Sequence, residues 1–123
     1  MATGIAPVST QPTRNSSLLT WTAITTGADG DPVSIGEQCT SMTVHIDGTF
    51  GSGSKIAING SNRSTGTYNN LSANTATGLT LSAITQGMIV ALNELPLYIK
   101  VSYTGTGGTA TDTSINVQVL ARF

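Results

Sequence analysis

The 123-residue chain carries 9% charged residues and a formal net charge of −1, where an ordinary soluble protein has roughly 25% charged residues. So few cations exclude the Lys- and Arg-driven affinity on which nucleic-acid binding depends, while the length suits one domain that buries a core without disulfides. Ser, Thr, Gly and Asn make up nearly half of the residues, giving a surface of hydroxyls and amides that does little to keep copies apart and favours an oligomer or a place in a larger assembly.

Residues 1–16 hold Pro7 and Pro12 among small polar residues, with no periodicity, which argues against both helix and central strand. The segment reads as an extended arm that lies along the domain or across a neighbour, because an extended backbone needs another surface to satisfy its polar groups. The domain itself is expected over 17–123. Within the arm, Ile5, Pro7, Val8 and Pro12 are the expected interface anchors. The arm has no basic start and no long apolar run, and the longest apolar stretch, 88–92, is too short to cross a bilayer. Synthesis in a reducing cytoplasm, without a membrane partner, is the resulting expectation.

Residues 18–25 alternate, with Leu19, Trp21 and Ala23 opposed to Leu18, Thr20, Thr22 and Ile24. Trp21, the only tryptophan, is expected in the core. Turn residues follow at 27–32, then a short edge segment at 33–35. Residues 40–47 place Met42, Val44 and Ile46 inward and Thr43, His45 and Asp47 outward, and 55–59 turn Ile56 and Ile58 to the core. These two runs read as a hairpin around 48–53. Tyr68 and Leu71 pin a short strand, and 88–92 form a compact apolar one. In 97–104, Leu97, Ile99, Val101 and Tyr103 share a face, and in 114–123 Ile115, Val117, Val119 and Ala121 do. A period of two is that of a strand. The two runs, joined by the Gly/Thr-rich loop 105–113, are expected to be the central hairpin of an antiparallel sheet. Seven or eight short strands with no helix predict an all-β, single-domain antiparallel sandwich, jelly-roll-like, preceded by the arm.

The chemistry-bearing residues are sparse. His45 is the single histidine, and its strand turns it away from the apolar set; no serine stands on a nucleophile-elbow pattern. The six carboxylates, Asp29, Asp31, Glu37, Asp47, Glu94 and Asp112, fall mostly in or beside turns, where Asp caps its own backbone. Asp29-Gly30-Asp31 starts like a calcium loop but lacks the later oxygen ligands. Cys39 has no partner for an internal disulfide and no zinc-site spacing, and reads as a small buried side chain. Gly105-Thr106-Gly107-Gly108 lies between strands, with no helix N-terminus to receive phosphate. The Asn-x-Ser sequons at Asn15, Asn59, Asn62 and Asn70 follow from composition. No catalytic residue, cofactor or metal is expected.

The run from Met42 through His45-Ile46-Asp47-Gly48-Thr49-Phe50-Gly51 and Lys55-Ile56-Ala57-Ile58-Asn59 to Asn62, followed by 68–71, 95–100 and 117–122, resembles the small β-sandwich proteins that decorate or cement the heads of tailed bacteriophages. The resemblance covers 18–123 and leaves the arm aside. It implies a jelly-roll-like sandwich that forms dimers or trimers and bridges major capsid protein subunits on the outer capsid surface of the virion. The competing reading is a recognition module: a fibre or tail-tip domain, or a carbohydrate-binding sandwich with Trp21, Tyr68, Tyr98 and Tyr103 as sugar platforms. A hydrolase ranks third, since His45 is its only available base.

Overall fold

A computed structural model describes every residue except 1–3, 12–13, 27–28, 36–37, 77 and 110. Among the described residues there are nine strands and no helix. They are β1 (Val8–Thr10), β2 (Ser16–Ile24), β3 (Val33–Ser34), β4 (Ser41–Thr49), β5 (Ile56–Ser61), β6 (Asn69–Asn70), β7 (Met88–Ala91), β8 (Tyr98–Tyr103) and β9 (Ser114–Arg122). They form two sheets, a five-stranded one ordered β1-β2-β9-β4-β7 and a four-stranded one ordered β3-β8-β5-β6, with every neighbouring pair antiparallel. With β1 set aside, β2 pairs with β9, β3 with β8, β4 with β7 and β5 with β6. The chain is thus one long hairpin, folded back at β5–β6 and rolled so that β9 meets β4 and β8 meets β5. That is the pairing scheme of a jelly roll.

The roll corrects two expectations. Residues 97–104 and 114–123 are not a hairpin: β8 lies in the four-stranded sheet and β9 in the five-stranded one, and 105–113 carries the chain between them. Residues 40–47 and 55–59 part in the same way, β4 and β5 belonging to different sheets. The physical reason is that two consecutive strands with like-facing apolar sides bury them equally well as neighbours in one sheet or across the core from each other. The intervening loops are long enough to cross the ~10 Å between layers.

The inner faces supply the core. Leu19, Trp21 and Ile24 of β2, Met42, Val44 and Ile46 of β4, and Ile115, Val117, Val119 and Ala121 of β9 are all buried; so are Ile56 and Ile58 of β5 and Ile99 and Val101 of β8, in a single cluster that spans both sheets. Ile35, Leu71, Leu81, Ile84 and Leu92 close its rim. Ile24 joins the core against its parity because Thr22 and Ala23 together oppose Asn116, a bulge between Trp21 and Ile24 in the β2–β9 register. Ala23 adopts φ 58° there, and its N–H, displaced from the ladder, donates to Asn116 Oδ1 at 3.2 Å. Ala23 is therefore exposed and Ile24 buried, the reverse of strict alternation.

Trp21 is fully buried, and its indole N–H donates to the Asp31 carbonyl at 3.0 Å. The 29–31 turn is the cover over the ring. Gly30 sits so close that a Cβ there would lie 2.6 Å from Trp21 Cδ1, Gly30 N–H donates to the Val101 carbonyl at 3.0 Å, and Asp29 Oδ1 accepts the Tyr103 N–H at 2.6 Å. The Asp29 carboxylate thus serves the backbone, while Asp31 takes part through its own main-chain N–H and carbonyl. The segment expected to be an arm runs along its own domain: Ile5 N–H donates to the Asp29 carbonyl, Asp31 N–H donates to the Ile5 carbonyl, and β1 pairs with β2.

Two substitutions separate core from surface. Val117→Asp or Val101→Asp buries an unpaired carboxylate and is expected to abolish cooperative unfolding. Ile58→Ala should cost about 2–5 kcal/mol in denaturant titration, whereas Ile89→Ala, at a side chain 65% exposed, should stay within about 0.5 kcal/mol.

Candidate functional site

The antiparallel registers align outward-pointing residues into rows across the five-stranded sheet. One row is Val8, Thr20, Gln118, His45 and Ile89; the next is Thr10, Leu18, Leu120, Thr43 and Ala91. Its end members Val8, Thr10, Ile89 and Ala91 are exposed, and the middle residues are half-buried, as on an open sheet face. Leu18 and Leu120 stand directly opposite each other, placing a small aliphatic centre among hydroxyls and amides. Beyond the rows lie Arg122, whose Nη1 donates to Thr43 Oγ1 at 3.3 Å, and Asp47, 3.8 Å from His45 Nε2. The His45 and Asp47 side chains are 41% and 54% exposed, so this contact adds little to stability.

Of the expected anchors, Val8 lies on this face at 61% exposure, while Ile5 and Pro7 are half-buried and Ile5 packs against its own core. Pro12 lies outside the described residues. Cys39 is half-buried beside the core, its thiol donating to the Ser41 carbonyl at 3.3 Å. Among the described residues, no three His, Cys, Asp or Glu side chains gather as metal ligands would. Of the aromatic residues named as sugar platforms, Tyr68 and Tyr98 are half-buried. Trp21 is inside, the Tyr103 hydroxyl donates to the Gly107 carbonyl, and the Tyr68 ring faces the Lys100 ammonium, 4.8 Å from its centroid. Sequence reasoning missed the Leu18–Leu120 centre, although a signal was present: both are leucines at outward positions of otherwise polar faces.

A second feature stands on the other layer. The 61–68 loop, β6 and the 94–96 segment enclose a depression of about 480 Å³ floored by Gly60 and Leu71. Glu94 is fixed on its wall, its Oε1 accepting the Ser72 N–H at 2.8 Å and its Oε2 the Ser72 hydroxyl at 2.6 Å. Partial burial acts to raise the Glu94 pKa, but the hydrogen bonds from the Ser72 side chain and backbone outweigh it and hold the carboxyl below its ordinary value.

Comparison with protein-family models, with curated proteins and with solved structures finds no match for this chain.

A carboxyl held low in the folded state contributes stability while ionised, and that contribution is lost as pH falls through the folded value. The Ser72→Ala protein should therefore unfold at a slightly lower temperature than wild type at pH 7. The gap should narrow in thermal melts taken progressively below pH of about 4.3.

Proposed function

We propose that the protein is a non-enzymatic structural component of a phage virion, binding the outer surface of the assembled capsid and cementing the major capsid protein lattice as a dimer or trimer. The observation that carries this reading is the outer face of the five-stranded sheet, whose two central rows have no ionisable side chain except His45. Three nine-residue strands with the shorter β1 and β7 at their flanks present roughly 550 Å² of projected area. That is enough for a modest specific contact. Repetition over a shell would multiply many such contacts through avidity. A neutral surface suits the task because it gains contact by shape and aliphatic burial, with little desolvation of charge.

The N-terminal segment widens the same face, since β1 adds Val8 and Thr10 to its rows. The strap that the arm forms on its own domain and the docking surface are then one structure. The fold supports the reading as analogy only, because jelly rolls serve capsids, lectins and cupins alike. A cupin-type role is disfavoured by the interior, which Trp21, Met42 and branched aliphatic side chains fill.

Mixed with undecorated heads of the virus that encodes it, the protein should co-sediment and raise their rupture temperature. Leu18→Lys and Leu120→Lys place charge at the centre of the face without touching the core, and each should reduce bound protein about tenfold, equivalent to about 1.4 kcal/mol. Unchanged binding would remove the face from consideration. Deleting residues 1–10 should leave a folded protein of lower melting temperature that binds the heads more weakly.

A further inference from the structure

We propose that the depression between the 61–68 loop and the 94–96 segment is a binding groove for neutral oligosaccharides. Its walls combine donors and acceptors at fixed positions. Glu94 presents a carboxylate already oriented by Ser72 and held ionised; Arg63 supplies the guanidinium donors, and Asn62, Asn69 and Asn70 supply amides. Vicinal sugar hydroxyls are both donors and acceptors, and a mixed wall of this kind matches them. Leu95, 42% exposed, and Pro96 add a small apolar patch suited to the C–H face of a pyranose ring.

The groove is pre-ordered. Asn62 Oδ1 accepts the Leu97 N–H at 3.3 Å, tying the two walls together. Within the loop, Arg63 N–H donates to Ser61 Oγ at 3.0 Å and the Tyr68 hydroxyl to the Ser64 carbonyl at 3.0 Å, while Lys100 lies over the Tyr68 ring. Asn59 Nδ2 donates to Asn70 Oδ1 at 2.7 Å, which orients Asn70 at the groove. Among the described residues, the other atom of that buried amide, Asn59 Oδ1, has no hydrogen-bond partner. Walls already ordered reduce the entropy lost on binding.

Other ligand classes fit less well. The lining carries one cation, Arg63, and one anion, Glu94, so a phosphate or a polyanion gains no net attraction. A peptide strand adding to the sheet edge would find only the two residues of β6 to pair with. The groove also belongs to the four-stranded layer, away from the outer face of the five-stranded sheet. A copy docked through that face would leave the groove open to solvent. The inference does not rest on the docking proposal, and either can fail while the other stands.

The test is a titration of the full-length 15N-labelled protein with neutral di- to tetrasaccharides of glucose, galactose, mannose and N-acetylglucosamine, followed by amide chemical shifts. At least one saccharide should give saturable shifts at Asn62, Asn69, Asn70 and Ser72, half-complete below about 10 mM. Glu94→Gln should weaken that affinity about tenfold and Arg63→Ala severalfold, with resonances of the core strands unmoved in both variants and head binding unaffected. The proposal is overturned by no saturable shift with any saccharide, by shifts confined elsewhere on the protein, by affinity indifferent to Glu94→Gln, or by tighter binding of uronic-acid oligosaccharides than of neutral ones.

Discussion

Ile115, Val117 and Val119 on β9 leave water only if a second sheet covers them, and nearly everything else in the structure follows from that requirement. β9 sits at the middle of the five-stranded sheet, between β2 and β4, and its inner side chains are fully buried. Each such side chain contributes about 1.5–3 kcal/mol when removed from water. A chain with 9% charged residues has few ionic contacts with which to offset a poorly closed core, so closure depends on matching apolar surfaces. The jelly-roll pairing supplies it by giving each long strand of one sheet a facing layer drawn from the other.

Closure at the ends falls to backbone hydrogen bonds. The 29–31 turn lies over Trp21, and Ile5 bonds to Asp29 and Asp31 on that turn. The main-chain groups of Asp29 and Asp31 meet this need, since an extended strap leaves N–H and C=O groups that must be paired. The same strap leads into β1, so the segment that seals the tryptophan also widens the exposed sheet. Under the proposed function, an arm lying on its own domain preorganises the docking face, and an arm that exchanged between copies would have to surrender these bonds first.

The two layers present different surfaces. The five-stranded sheet shows a broad face with leucines at its centre, suited to a partner of extended shape. The four-stranded layer shows a polar groove with fixed donors and acceptors, suited to a small hydroxylated ligand. Little of either was legible beforehand. Leu18 and Leu120 could be seen as leucines out of phase with polar neighbours, but only the β2–β9 register makes them adjacent. Glu94 and Ser72 lie 22 positions apart, and nothing local marks them as partners.

Alternation along the chain already marks an all-β protein, with Trp21 in the core and the inward residues of the long strands in place except at Ala23 and Ile24 of β2. All three are consequences of alternation, a property carried by five to nine consecutive residues. Tertiary structure decided which strands pair. Two neighbouring runs with apolar residues in the same phase bury equal area as a hairpin or as opposing layers, so local pattern cannot distinguish the expected 97–104 and 114–123 hairpin from the observed crossing between sheets. It also decided the bulge at Ala23, because the extra residue is visible only against Asn116 on the strand beside it. Pairing and bulges are relations between segments distant along the chain, and they are settled by the packing of the whole roll.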